Sequence, residues 1–301
     1  MADGRRPSQL PHRVRRRRIR GGGEEFPAQV GGVAVAALTL RIFPYGALGG
    51  RRGLVLVERS LMVYRHTWII IVSGFFEPLF YLLAVGVGIG KLVPSISFHG
   101  QVIDYTAFVA PAMLASSAMN GAIYDSTFNV FWKLKYAKIY EGILATPLGP
   151  GDVAVGEIVW SLGRGVIYSA AFLVVCAAMG LVHSFAALLA LPFAVLEGLA
   201  FAACGMAATT FMRSWQDFEW VTLVLLPLFL FSATFYPLST YPGALAHVVR
   251  WTPLYQAVDV QRALLLGGLH PGLLADCGYL AAMGLIGGAV AVRRLARLLL
   301  H

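Results

Sequence analysis

The sequence predicts an all-α polytopic membrane protein with six transmembrane helices and both termini in the cytoplasm, and three observations carry that expectation. Of its 301 residues, 58% are hydrophobic and only 13% charged, whereas charged residues make up about a quarter of an ordinary soluble domain. Apolar stretches of about the length of a bilayer span recur at about 68–90, 105–127, 153–180, 185–211, 220–236 and 273–292. Basic residues fall in every second connection: the N-terminal tail, then Lys133, Lys135 and Lys138, then Arg213, then Arg293, Arg294 and Arg297. Positive charge beside a span marks its cytoplasmic side. The opposite side keeps only Lys91, Arg250 and Arg262.

In chain order, residues 1–50 read as a disordered basic cytoplasmic tail, and 51–301 as the transmembrane domain. The tail carries Arg13, Arg15, Arg16, Arg17, Arg18 and Arg20 before a Gly- and Glu-rich stretch too polar to bury a core. The net charge of +9 does not point to nucleic acid, because 13 of the 20 Arg precede residue 66; a solvated tail that meets anionic lipid accounts for it. The apolar run 30–40 is too short to span a bilayer and has no clear small-residue cleavage site after it.

Leu54 to Arg65 alternates apolar residues with Glu58 and Arg59, as an interfacial helix feeding the first span would. That span contains Glu77-Pro78 and ends in Gly86-Val87-Gly88-Ile89-Gly90-Lys91. Neither a Gly at 85 nor a Ser or Thr after Lys91 completes a phosphate loop, so Gly86 and Gly90 read as a close helix contact. After the second span comes a Lys-bearing island, 128–157, with Phe128, Phe131, Trp132, Ile139 and Ile143 at helical spacing. It reads as an amphipathic helix on the cytoplasmic surface, stopped by Thr146-Pro147 and Gly149-Pro150-Gly151. Residues 237–272, broken by Pro237, Pro242 and Pro253, read as short extracytoplasmic pieces.

Ionisable groups inside apolar runs need an account, since charge at membrane depth is costly. Glu157 and Arg164 are seven apart on one helical face and read as a structural ion pair or headgroup contact. Glu77 beside Pro78 admits both a structural reading and a functional one, at a break that faces a protein-lined or wet pocket. Glu197 faces a partner helix, Asp125 lies at the water boundary, and Asp259 and Arg262 sit three apart, spaced to pair. Cys176, Cys204 and Cys277 are isolated in apolar runs, without disulfide or metal-ligand spacing, and no metal motif is present.

Taken in order, several short motifs resemble the permease subunit of type-2 ABC exporters, in their NodJ-like and drug-export branch. They are Val57-Glu58-Arg59 with Val63-Tyr64-Arg65, Glu77-Pro78-Leu79-Phe80-Tyr81-Leu82 with the glycines behind it, Gly142 through Thr146-Pro147, and Gly156-Glu157 with Trp160. Ser232 to Pro237, and Pro253-Leu254 with Asp259 and Arg262, complete the set. The resemblance covers about residue 54 to the C-terminus and implies two permease subunits, alike or different, with two ATP-hydrolysing subunits on the cytoplasmic side. It implies ATP and Mg on that partner ATPase and no cofactor on this chain.

The same resemblance implies a coupling helix within 128–147, with Lys138, Glu141 and Gly142 as ATPase contacts and Thr146-Pro147 as its stop. A helix breaker at Ala137 or Ile139 is then expected to uncouple hydrolysis from export. Glu77, Pro78, Asp259 and Arg262 are candidate path or gate residues, and 237–272 would form short re-entrant helices capping the path. The implied activity is outward movement of a lipid-linked, glycolipid or hydrophobic drug-like substrate across a bacterial inner membrane, with membrane lipid as the surrounding partner. Two alternatives stand beside it: a membrane-embedded enzyme on a lipid substrate, with Glu77, Asp125 or Glu157 as acid or base, and an ATP-independent secondary transporter. The first needs polar groups converging on one cavity; the second needs paired broken helices in two related halves, which the sequence does not show.

Overall fold

A computed structural model describes residues 52–64, 76–98 and 101–300; the basic tail and the first part of the expected first span lie outside them. Ten helices are described: α1 (Leu54–Tyr64), α2 (Phe76–Gly90), α3 (Tyr105–Tyr136), α4 (Ile139–Leu144), α5 (Pro150–Ala178), α6 (Phe185–Thr209), α7 (Phe218–Leu230), α8 (Gly243–Arg250), α9 (Pro253–Leu266) and α10 (Gly272–Leu299). The protein is a helical membrane protein with one addition the sequence reading lacked. Between α2 and α3, β1 (Ser95–Phe98) and β2 (Gln101–Asp104) pair antiparallel, with Ser95 opposite Asp104 and Phe98 opposite Gln101.

The core is α3. In its apolar window 89% of residues are buried within the protein, against 22% for α10, so α3 is the interior strut and α10 lies at the periphery. Asp104 starts α3 by accepting hydrogen bonds from the backbone N–H groups of Thr106 and Ala107 at 3.0 and 3.3 Å, a helix N-cap. Its crossing with α5 is backbone-close. A Cβ on Gly121 would lie 2.8 Å from the Gly165 Cα, and one on Gly165 would lie 2.8 Å from the Ala118 carbonyl oxygen. With no hydrophobic drive between helices in lipid, such small-residue contact is what lets spans pack. The close contact expected at Gly86 and Gly90 is also present: both face Thr106 of α3, whose hydroxyl donates to the Gly86 carbonyl at 3.0 Å.

Four helices, α3, α5, α6 and α10, are long and apolar enough to cross a membrane. Of the first expected span only α2 lies within the described residues. The fifth differs from the sequence reading: α7 stops at Leu230 after 13 residues, about 20 Å at 1.5 Å per residue, where ~30 Å of hydrocarbon must be crossed. The backbone from Phe231 to Tyr236 is non-helical. The second span is longer than expected and runs on through the island to Tyr136.

Gly121→Leu is expected to destabilise the fold by about 1–3 kcal/mol or more through overpacking. Gly163→Ala, which meets nothing within 4 Å, should melt with the parent protein. Thermal unfolding of both variants in detergent decides it.

Candidate functional site

At one end of the bundle the island is divided by a sharp reversal. α3 reaches Tyr136 through two π-helical stretches, Asp125–Asn129 and Trp132–Tyr136, and such bulges recur at functional sites. Lys138 then takes a left-handed conformation, φ 48°, and α4 follows as a separate helix of six residues. The expected single amphipathic helix from Phe128 to Ile143 is therefore two elements, because Lys138 turns the chain where the periodicity alone runs on. Ile139 becomes the first residue of α4, a position where proline is tolerated, so a helix breaker there tests little.

α4 buries Tyr140 and Ile143 and turns Lys138, Glu141 and Gly142 outward. Lys138 and Glu141 face each other at 3.9 Å with two-thirds of each side chain in water, a pair of little energetic weight. Nothing lies within 4 Å of a Cβ on Gly142. Thr146 closes the helix, its N–H and hydroxyl both donating to the Ile143 carbonyl at 3.0 and 2.6 Å. Pro147 follows, its carbonyl accepting from Arg52 ahead of α1 at 3.2 Å. α5 begins at Pro150, with the Asp152 carboxylate accepting from the Gly149 N–H at 3.0 Å.

Behind α4 lie two buried ion pairs that the sequence reading missed. Lys133 Nζ donates to both Glu157 oxygens, at 3.0 and 2.8 Å, with each side chain under a tenth exposed. Arg164 Nη1 donates to Asp125 at 2.6 Å, and the Ser161 hydroxyl donates to the other Asp125 oxygen at 2.9 Å. Arg164 also donates to the Tyr168 hydroxyl at 3.0 Å and lies over the Tyr64 ring of α1 at 5.7 Å. Glu157 and Arg164 thus do not pair with each other, since seven residues of helix separate them by about 10 Å. Asp125 is not at the water boundary but fully buried. The signal was present in the order of charges: Asp125 before Lys133 on one helix and Glu157 before Arg164 on the next complement each other when the helices run antiparallel. The Tyr140 hydroxyl is sealed beside Glu157; burial first, then that carboxylate, push its phenol well above the usual tyrosine range.

An aromatic cluster joins the same end of α3 to α7. Phe218 stacks on Phe128 at 4.2 Å and meets Phe131 edge-on at 5.0 Å, with Trp215 beside all three.

At the opposite end Arg262 of α9 is 2% exposed and does not pair with Asp259. Its Nη2 donates to the Ala233 carbonyl at 2.9 Å, its Nε to the Phe108 carbonyl at 3.4 Å, and its guanidinium stacks 3.9 Å from the Phe108 ring centroid. Phe108 lies within α3, whereas Ala233 holds φ 54° in the non-helical segment after α7. Around it the Ser232 and Thr234 hydroxyls donate to the Phe229 carbonyl at 3.2 and 3.1 Å, and the Tyr105 hydroxyl donates to the Phe235 carbonyl at 3.1 Å. Asp259 lies 3.3 Å from His270 instead. A cavity of about 390 Å³ opens here, lined by Asp259, Arg262, Arg250 and Tyr255.

Glu77 and Pro78 line a separate cavity of about 230 Å³ between α2, α3 and α7, together with Asn120, Tyr124 and Thr222. Glu197 is sealed beside Gln261 of α9 and faces a partner helix as expected. Glu77, Asp125 and Glu157 do not converge: two are held in ion pairs and the third lines its cavity alone. Among the described residues no cluster of His, Cys, Asp or Glu is placed to hold a metal, and the three cysteines are free.

The described residues form a helical, multi-span membrane protein with charge pairs sealed between its helices. A family model described as ABC-2 type transporter matches residues 52–266, and the chain belongs to that family. It is similar to Nodulation protein J of Rhizobium leguminosarum bv. viciae, 31% identical over 83% of this chain and 97% of the relative. It is also similar to Nodulation protein J of Rhizobium meliloti (strain 1021), at 33% identity over 75% and 86% of the two chains. The chain is therefore a transmembrane permease of the ABC transporter class.

Lys133→Met and Glu157→Met are each expected to cost about 3–5 kcal/mol by stranding a buried charge. The double Met variant should recover most of that loss. A double-mutant cycle on thermal unfolding in detergent measures the coupling; additive losses would mean the pair contributes nothing.

Proposed function

We propose that this permease is the membrane half of an ATP-driven exporter, with α4 as the element that docks on a separate ABC ATPase. The observation that carries the reading is the form of α4: Tyr140 and Ile143 fasten it to the bundle while Lys138, Glu141 and Gly142 stand free at its surface. Thr146 and Pro147 join it through a closed turn to α5, so a push on α4 is passed to α5 as a rigid displacement. The Lys133–Glu157 and Asp125–Arg164 pairs then carry it to α3. ATP and Mg belong to the partner in this reading, and this chain binds no cofactor of its own.

The topology proposed is six spans with both termini in the cytoplasm of a bacterium, in its inner membrane. α7 with the segment after it forms the fifth span, and α8 and α9 are the extracytoplasmic re-entrant helices. In this reading the Glu77 and Pro78 cavity lies on the translocation path, and Asp259 and Arg262 form the outer gate. Two permease chains, identical or different, complete the transporter. The substrate proposed is a lipid-linked, glycolipid or hydrophobic drug-like molecule, in keeping with apolar cavity walls that offer few charges.

Glu141→Arg is expected to abolish co-purification with the partner ABC ATPase and to cut export at least tenfold, with the permease still present in the membrane. Gly142→Pro, which breaks α4 at its centre, should leave ATP hydrolysis running without export. Wild-type ATPase binding and export in both variants would reject α4 as the docking element.

A further inference from the structure

On the side of α7 away from Glu77 runs a groove of about 660 Å³. Phe201, Ala208 and Met212 form one wall, Val221 and Val224 of α7 the other, and Met283 of α10 its back. The walls are apolar at bilayer depth and change character only at one end, where Arg213 and Asp217 line the groove. Phe211, also in the wall, carries the Arg294 guanidinium 4.1 Å from its ring centroid.

Neither arginine has a carboxylate at ion-pair distance among the described residues. The Asp217 carboxylate is committed to its own turn. It accepts the backbone N–H groups of Arg213 and Ser214 at 2.6 and 3.1 Å, which hold its carboxyl below the usual carboxylate range. Arg294 donates through Nη2 to the Thr210 carbonyl at 3.3 Å, while its Nε is buried without a partner. Arg294 is not in the groove's lining but packs on Phe211, which is; a cation there with an unsatisfied donor favours an anion close by.

We propose that the groove holds one acyl chain of an anionic phospholipid of the cytoplasmic leaflet, with its phosphate between Arg213 and Arg294. The chemistry selects that occupant over others. A peptide or a sugar needs polar partners along its length, and the walls offer them only at one end, whereas an acyl chain needs none. The charged end lies level with the cluster of Phe128, Trp215 and Phe218, the aromatic belt expected at a headgroup boundary. It also lies at the end of the bundle that carries the Lys-bearing loop, where anionic lipid headgroups concentrate. The bound chain fills the space between α7 and the α6–α10 pair. The proposal concerns a resident lipid and does not depend on the exporter reading.

The test is native mass spectrometry of the delipidated protein reloaded with equimolar phosphatidylglycerol and phosphatidylcholine. One phosphatidylglycerol should be retained per chain, and Arg213→Gln should lower its preference about fivefold, the weight of one cation at an anionic headgroup. Ala208→Trp, which fills the groove, should expel the lipid whatever its headgroup; Leu285→Trp, on the exposed face of α10, should not. Val224→Trp blocks the groove from the opposite wall and reads the same if Ala208→Trp purifies poorly. Equal retention of the two lipids by the unaltered protein would overturn the proposal. So would unchanged retention in Arg213→Gln and in the groove-filling variants, or displacement of the lipid by inorganic phosphate alone.

Discussion

Asp125–Arg164 and Lys133–Glu157 lie in a largely buried seam between α3 and α5, and the α4 end of the protein depends on them. A charge left alone there has neither solvent nor partner, so separating the helices at this level costs several kcal/mol for each pair. The pairs add little net stability over apolar side chains, but they specify register. Sliding α3 by one turn against α5 would strand all four groups. The Gly121–Gly165 crossing reinforces this, because backbones in direct contact have no side chain to deform between them. Through Tyr140 and Tyr64 the seam also holds α4 and α1, so the exposed loop and the spans behind it form one mechanical body.

The opposite end answers a different constraint. Non-helical backbone at membrane depth survives only where its polar groups are satisfied within the protein. The segment after α7 meets that condition with side chains: Arg262, Ser232, Thr234 and Tyr105 supply the donors that helix hydrogen bonds no longer provide. A buried arginine against a phenylalanine ring, bonded to one carbonyl of α3 and one of the non-helical segment after α7, serves here as a bracket between α3, α9 and that segment.

Between these two fixed ends α7 has a cavity on either side of its middle, one with Glu77 and one with the arginine-tipped groove. Its ends are held by aromatic contacts, Phe218 with Phe128 and Phe131 at one and Phe229 with Phe235 and Tyr81 at the other. Low contact density along a helix is the physical form of local freedom. Under the exporter reading α7 is the span free to move when α4 is displaced, and the proposed lipid would occupy the space on one of its sides.

Four of the six expected stretches are helices long and apolar enough to cross, and helical, multi-span membrane character was legible in the residues, because hydropathy is a local property that the bilayer reads directly. So were the break at Thr146-Pro147, the glycine contact of α2 with α3, and the outward position of Lys138, Glu141 and Gly142. What the residues one at a time did not disclose was partnership. Glu157 and Arg164 looked like each other's neighbours and Asp259 like Arg262's, yet each found its mate on another element. Periodicity carried one helix through the island, where Lys138 turns the chain, and extended α7 past Leu230, where side chains replace the helix ladder. The sequence by itself determined that the chain is a helical, multi-span membrane protein; the tertiary structure alone decided which charge meets which, because a buried charge is satisfied by whatever lies within 3 Å of it in space, however far apart the two stand along the chain.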